Sequence, residues 1–153
     1  MIIRLETKDD YFKVEELTRE AFWNLYTPGC DEHYLCHILR DHQDFIKELD
    51  YVAEIDGNII GSIMYTNSFL IGDDEETIQI VSFGPLCVHP DYQRKGIGTA
   101  LIEKTRMLVM ERNVPAIVIY GDPHNYCKHG FRNGIDCQVS NMDGEYPLGL
   151  LVL

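Results

Sequence analysis

A glycine-rich turn between a predicted strand and a predicted helix contains residue types suited to binding phosphate. The turn reads Gln93-Arg94-Lys95-Gly96-Ile97-Gly98-Thr99. Glycines let the backbone approach a ligand closely, and free amides at the start of a helix bind anions. Arg94 and Lys95 add positive charge at the same point. The alternative interpretation is a tight turn that only leads into a packed helix, because a lone glycine-rich turn is a weak motif.

The strand before this turn is interrupted in a way that exposes backbone groups. Thr77–Val88 is rich in apolar and β-branched residues, as buried strands are, but it contains Gly84-Pro85. Proline cannot donate a backbone hydrogen bond, so it marks a bulge or the end of pairing with a neighbouring strand. We therefore predict unpaired backbone groups at Leu86, Cys87 and Val88, which an extended ligand with amides of its own can pair with.

Together these two features resemble a known family. Gln93-x-x-Gly96-x-Gly98-Thr99-Ala100, directly after a strand of the form Leu-x-Val-x-Pro, is similar to the acetyl-coenzyme A binding motif of the GNAT family of N-acetyltransferases. The resemblance implies that acetyl-CoA is the co-substrate, with its pyrophosphate on the loop amides and its pantetheine arm along the splayed strand. The binding residues it implies are Leu86, Cys87, Val88, Gln93, Arg94, Lys95, Gly96, Ile97, Gly98, Thr99 and Asn125.

A second stretch of the resemblance contains a candidate catalytic acid. Tyr126-x-x-x-Gly130-Phe131 resembles the segment in which many GNAT enzymes place a tyrosine near the thioester sulfur. The resemblance implies that Tyr126 protonates the leaving thiolate, although a tyrosine in a short helix is, by its chemistry alone, more often a packing residue. Asn125 stands where relatives with a Tyr-Tyr pair have the first tyrosine, which leaves the pocket shape and the acceptor open.

The proton on the attacking amine has no clear acceptor in the sequence. We take His124 as the tentative base, with Asp122, Glu32, His33 or a chain of water molecules as alternatives. Direct transfer needs no acyl-enzyme, so we interpret Cys127 as a packing residue. The reaction implied is direct attack of a primary amine of an unidentified acceptor on the thioester. The alternative function is an acyl-CoA-binding sensor without turnover.

Four potential metal ligands also lie close together, at Cys30, His33, Cys36 and His37. Their spacing is not that of a standard zinc site, and neighbouring residues such as Cys36 and His37 point about 100° apart around a helix. We therefore predict no metal, and we leave open whether these residues line the substrate pocket or only pack.

The predicted elements follow the order that the GNAT resemblance implies. They are a strand at 2–5, helices at 11–23 and 32–42, strands at 50–55, 59–65 and 77–88, a helix from the glycine-rich turn to about Arg112, and strands at 116–120, 136–139 and 148–153. The second helix is expected near the substrate mouth. The predicted fold class is α/β (α+β), in a single domain over 1–153. It has a mixed, mostly antiparallel central sheet of six to seven strands, splayed at Gly84-Pro85 and flanked by about four helices.

Composition and charge limit the partners. The formal net charge of −12 argues against nucleic acid, because neutralising phosphates needs a basic face. An acidic surface suits a cationic acceptor such as an amine, or simply keeps the protein soluble. Five scattered cysteines without a secretory signal favour a cytoplasmic setting, and no apolar run reaches membrane-spanning length. The resemblance also makes a homodimer possible.

Overall fold

Four antiparallel strands form the larger sheet of the computed structural model, which describes residues 1–153. In spatial order they are β1 (Ile2–Leu5), β2 (Tyr51–Ile55), β3 (Asn58–Ile71) and β4 (Thr77–Val88). The strands predicted at 50–55 and 59–65 form a hairpin whose turn is Asp56-Gly57, with Ile55 opposite Asn58. β3 extends beyond the predicted 59–65 because it remains paired with β4 as far as Ile71, which lies opposite Thr77.

Helices cover both faces of this sheet. They are α1 (Tyr11–Phe22), α2 (Glu32–Leu39), α3 (Ile97–Glu111) and α4 (Pro123–Tyr126). Val14 of α1 packs with Val52 on one face, whereas Leu101 of α3 packs with Ala53 on the other. Adjacent strand residues face opposite sides, so Val52 and Ala53 join different clusters. None of these helices combines the length and the apolar character that a membrane span requires.

A second, smaller sheet continues from the far side of β4. It contains β5 (Val118–Tyr120), β6 (Arg132–Asn133) and β7 (Leu150–Val152), in the antiparallel order β5-β7-β6. A parallel bridge between Val81 and Ile117 joins it to β4. The chain before β5 thus runs parallel to β4 at this pair, and beyond it the two strands separate. The fold class is confirmed: seven mostly antiparallel strands, divided by their hydrogen bonding into two sheets.

The predicted strand at 136–139 is wrong. Gly134–Cys137 forms a 3₁₀ turn instead, and the strand in this region is β6. The Asn133 side-chain oxygen accepts a hydrogen bond from the Ile135 amide at 3.1 Å, which starts the turn. Its amide nitrogen donates to the Leu148 carbonyl at 3.0 Å and so fixes the turn to the next segment. These local hydrogen bonds determine the conformation here, although a short alternation of apolar residues is typical of a strand.

A buried group of charged residues ties α1 and α2 to the first two strands. Arg40, just after α2, donates to both carboxylate oxygens of Glu6 at 3.0 and 2.8 Å. Glu15 of α1 accepts from the same guanidinium at 2.6 Å. Asp50 is buried nearby, and its Oδ1 has no hydrogen-bond partner. Burial, reinforced by Glu6, raises the pKa of Asp50 to about 9. Asp50 therefore keeps its proton at neutral pH.

We expect Asp50→Asn to stabilise the protein at neutral and alkaline pH. An aspartate in the unfolded chain ionises near a pKa of about 4, whereas the folded Asp50 carboxyl holds its proton up to about 9. This contribution to the stability of the wild type is therefore fully present below about pH 4 and is lost as the pH rises towards 9. Asparagine does not ionise, and its amide can donate to Glu6. The expected gain in unfolding free energy at pH 8 is about 1–3 kcal/mol.

Thermal denaturation between pH 4 and pH 9 measures this effect. Asp56→Asn is the matched control, because Asp56 lies exposed in the turn between β2 and β3. The control should follow the wild type at every pH, while the melting temperature of Asp50→Asn should exceed that of the wild type by a margin that grows with pH. A variant that is destabilised throughout the range contradicts a protonated Asp50.

Candidate active site

The predicted bulge at Gly84-Pro85 is confirmed by the pairing of β3 with β4. Ile63 lies opposite Leu86. Tyr65 lies opposite Phe83, so two steps along β3 correspond to three steps along β4. The extra residue is accommodated at Gly84-Pro85, and proline has no amide with which to rejoin the ladder. β4 therefore changes its pairing at this point.

Beyond the bulge, β4 presents backbone groups on the edge away from β3. The His89 amide donates to a carbonyl of β3 at 2.9 Å. Hydrogen-bonded pairs alternate along an antiparallel ladder, so Cys87 also faces β3, whereas Leu86 and Val88 turn their amides outward. The Gln93 side chain donates to the outward carbonyl of Val88 at 3.2 Å. The Cys87 thiol is buried on the face covered by α1. Because the backbone of Cys87 faces β3, it does not offer the unpaired groups predicted for it. The groups left for a ligand are the amides of Leu86 and Val88 and the carbonyl of Leu86.

The start of α3 provides a second set of free amides. Gly96 precedes α3 with a φ of 83°, and no side chain accepts hydrogen bonds from the first amides of the helix. The amide of Ala100 donates to the Gly96 carbonyl at 2.9 Å. The preceding amides of Ile97, Gly98 and Thr99 have no partner within the helix. Free amides at the positive end of a helix dipole attract anionic groups, so this turn is suited to a phosphate.

Tyr126 lies at the end of α4 among aromatic rings. Its ring centre is 5.8 Å from that of Phe83 and 5.9 Å from that of Phe131. Gly121 lies against the ring, and any side chain at that position would collide with it. Burial raises the pKa of Tyr126 to about 12, and no hydrogen bond within the chain offsets this effect. Tyr126 therefore carries its proton throughout the physiological pH range.

A groove of about 1080 Å³ joins these features. It brings the strand and turn before α3 together with the segment around α4, which is distant in sequence. Lys128 and His129, which follow α4, also line the groove and add basic groups to it. The predicted site residues that line the groove are Leu86, Cys87, Val88, Gln93, Arg94, Gly96, Ile97, Gly98, Thr99, Asn125 and Tyr126.

Two predicted site residues, Lys95 and His124, are absent from the groove lining. The Lys95 ammonium donates to the Asp91 carbonyl at 2.8 Å and lies 5.1 Å from the centre of the Tyr92 ring. It therefore folds back over its own turn, and Arg94 is the cation of this turn that lines the groove. His124 is exposed, and its backbone amide donates to the Asp122 carboxylate at 2.9 Å. The lining of the groove thus gives no support to His124 as a base.

Most of the groove wall supplied by α1, α2 and the segment between them could not be foreseen from sequence motifs. This wall agrees with the expectation that the second helix lies near the substrate mouth. The sequence suggests a role only for Glu32, as an alternative base, and no motif indicates which neighbouring side chains turn inward. We call this surface the α1–α2 wall; its residues are Ala21, Phe22, Leu25, Tyr26, Glu32 and Leu35.

The four potential metal ligands near α2 point in different directions. Cys30 Sγ lies 3.4 Å from His33 Nδ1. Cys36 is buried, with its sulfur 3.5 Å from a threonine hydroxyl of α1, and His37 Nδ1 lies 3.1 Å from Glu15 Oε1. No group of three or more histidine, cysteine or acidic side chains in the chain is arranged to hold a metal ion. None of the four lines the groove.

Comparison with known proteins finds similarity in sequence. The sequence model of the acetyltransferase (GNAT) domain matches residues 47–133. The "Uncharacterized N-acetyltransferase YhbS" of Escherichia coli K12 is 30% identical, over 86% of this chain and 73% of that protein. The "Probable hydrolase YhcX" of Bacillus subtilis is also 30% identical, but the match covers 84% of this chain and only 27% of that longer protein.

A solved structure is similar in fold as well. It is a GNAT family acetyltransferase from Brucella melitensis in complex with acetyl-CoA. The match has a TM-score of 0.73 at 28% sequence identity, and it covers 86% of this chain and 82% of the other. The similarity therefore extends over most of both chains.

Proposed function

Because the chain belongs to the GNAT family of acetyltransferases, we propose that it transfers the acetyl group of acetyl-CoA to a primary amine. The observation that carries this proposal is the groove that joins three features: the free amides at the start of α3, the outward edge of β4, and Tyr126. The Brucella relative has acetyl-CoA bound, and each of the three features suits one part of that molecule.

The coenzyme end of the groove fits the charge and length of the co-substrate. The amides of Ile97, Gly98 and Thr99 would hold the pyrophosphate, with Arg94 supplying a positive charge beside them. The outward amide of Val88 and the outward carbonyl of Leu86 would pair with the amide groups of the pantetheine arm, as a strand pairs with a neighbour. These interactions would direct the thioester along β4 towards the bulge.

Two chemical needs of acetyl transfer are met by groups on this path. The amine nitrogen bonds to the thioester carbon, the carbonyl oxygen becomes an oxyanion, and the carbon–sulfur bond then breaks. The outward amide of Leu86, next to the bulge, would donate to the oxyanion. The thiolate leaves as the base of a thiol whose pKa is about 8.5. Tyr126, protonated in the groove, would supply the proton that converts it to the free thiol.

The third need is an acceptor for the proton of the attacking ammonium. Asp122 and Glu32 are the carboxylates that line the groove. The Asp122 carboxylate already accepts the His124 amide, which limits its freedom to turn. We therefore propose that the proton leaves through water, with either carboxylate as the final acceptor within the groove.

Calorimetric titration with acetyl-CoA, followed by measurement of thiol release against a panel of amines, tests the proposal. Binding together with amine-dependent release of free thiol is expected. Thiol release without an amine measures hydrolysis of the thioester and serves as the control. Binding without release on any amine would favour the sensor function, and absence of binding would overturn the assignment of the groove to acetyl-CoA.

A further inference from the structure

The α1–α2 wall has an unusual composition for a chain with so many charged residues. Of its six residues, five are apolar or aromatic and one is a carboxylate. The rings of Phe22 and Tyr26 lie 6.3 Å apart, so they form a continuous aromatic surface. A surface of this kind binds apolar or aromatic groups and offers few favourable interactions to a strongly hydrated ligand.

Glu32 is the charged residue of the wall and is free to bind a ligand. It is half-buried, its Oε2 accepts the Asp31 amide at 3.1 Å, and it forms no salt bridge. The basic side chains on and next to these helices lie outside the groove, as does Lys13 of α1. Arg19 pairs with Glu16 at 2.9 Å, and Arg40 is buried in the cluster around Glu6. No basic residue of α1 or α2 lines the groove beside Glu32.

The wall faces the reacting end of the groove. Phe22 packs against the cluster that contains Cys87 of β4, next to the outward edge of that strand. Tyr26 and Tyr126 line the same groove. The basic groups of the groove belong to other segments, Arg94 before α3 and Lys128 and His129 after α4. An acceptor on the α1–α2 wall would thus meet a carboxylate and apolar surface near the proposed acid.

We infer that the acceptor is a small monoamine with an aromatic or other apolar body and no carboxylate, and that Glu32 binds its ammonium group. The inference rests on the proposed function. The body of such an amine packs on Phe22, Tyr26 and their neighbours, while the ammonium pairs with Glu32 before it loses a proton. An α-amino acid brings a carboxylate that has no cation on this wall and is repelled by Glu32. A polyamine brings a second charge that the apolar surface does not solvate.

A matched set of acceptors tests this inference. Phenethylamine and phenylalanine share an aromatic body and differ by the carboxylate, whereas putrescine carries two amines without an apolar body. We expect kcat/KM for phenethylamine to exceed that for each of the others by at least about tenfold. Burying one unpaired charge, or failing to bury one ring, is enough to cause a difference of this size. A short peptide with a free amino terminus completes the set. A higher kcat/KM for the amino acid, the polyamine or the peptide overturns the inference.

Glu32→Gln tests the role of the carboxylate. The variant should raise KM for phenethylamine about tenfold and change kcat less. The ratio of kcat/KM for phenethylamine to that for phenylalanine should fall. Asp31→Asn is the matched control, because it removes the same charge one residue away and Asp31 does not line the groove. It should behave as the wild type, and both variants should keep the wild-type melting temperature. Unchanged kinetics in Glu32→Gln overturns the assignment of Glu32.

The outcomes separate this inference from the function on which it rests. Acetyl transfer to amines of another class, with normal acetyl-CoA binding, overturns the acceptor class and leaves the proposed enzyme in place. Acetyl-CoA binding without transfer to any amine removes the enzyme activity and the acceptor class together.

Discussion

Gly96→Val should weaken the binding of acetyl-CoA at least about 100-fold. The φ of Gly96 is 83°, in the left-handed region that a β-branched residue adopts only with strain. No atom lies within 4 Å of the position where its side chain would begin, so the variant suffers no clash within the free protein. Relieving the strain would instead turn the amides of Ile97 and Gly98 away from the phosphate. We expect Kd to rise at least about 100-fold, or about 2.8 kcal/mol, in a calorimetric titration.

Gly144→Val is the control that separates loop geometry from general destabilisation. Gly144 has a φ of 79° and likewise has no atom within 4 Å of a would-be side chain. It lies in an exposed turn outside the groove, so it should lose similar stability and retain wild-type affinity. Equal loss of affinity in both variants would assign the effect to destabilisation. Wild-type affinity in Gly96→Val would contradict a phosphate site at this turn.

The coenzyme side of the groove could be predicted because its signals are local in sequence. A proline within a strand and glycines at a helix start act through the backbone, whose geometry depends mainly on the residue itself. The bulge at Gly84-Pro85 and the helix after Gly96 therefore appear in the structure where the sequence indicates them. The orientation of Lys95 did not follow, because Arg94 before it adopts a left-handed φ of 59° that residue type alone does not indicate.

The α1–α2 wall could not be predicted because it depends on how two helices sit on the sheet. That placement is fixed partly by Arg40, Glu6 and Glu15, which are far apart in sequence and meet only in the folded chain. A buried arginine cannot be told from a solvated one by its sequence position. The side chains that α1 and α2 turn into the groove follow from this tertiary arrangement, so the acceptor class is the part of the function that the sequence leaves open.

Tyr126→Phe should lower kcat about 100-fold while leaving the KM for acetyl-CoA near its wild-type value. General acid catalysis by a positioned side chain contributes about 10²–10⁴ in rate. The phenylalanine ring keeps the packing against Phe83 and Phe131, so the melting temperature should also be retained. Because burial raises the pKa of Tyr126 to about 12, its acid form is complete at neutral pH and is lost only as the pH rises towards that value. The wild-type kcat should therefore show no fall due to this group below about pH 10.

Tyr120→Phe is the matched control for Tyr126→Phe. Tyr120 also lines the groove, but its side chain is 68% exposed and it lies on β5 rather than α4. Removing its hydroxyl should leave kcat within about twofold of the wild type, because a largely solvated phenol is not held in position to donate a proton. Steady-state release of free thiol with a saturating amine measures both variants. Unchanged kcat in Tyr126→Phe, or an equal loss in both, would remove Tyr126 as the acid and leave protonation of the thiolate to water.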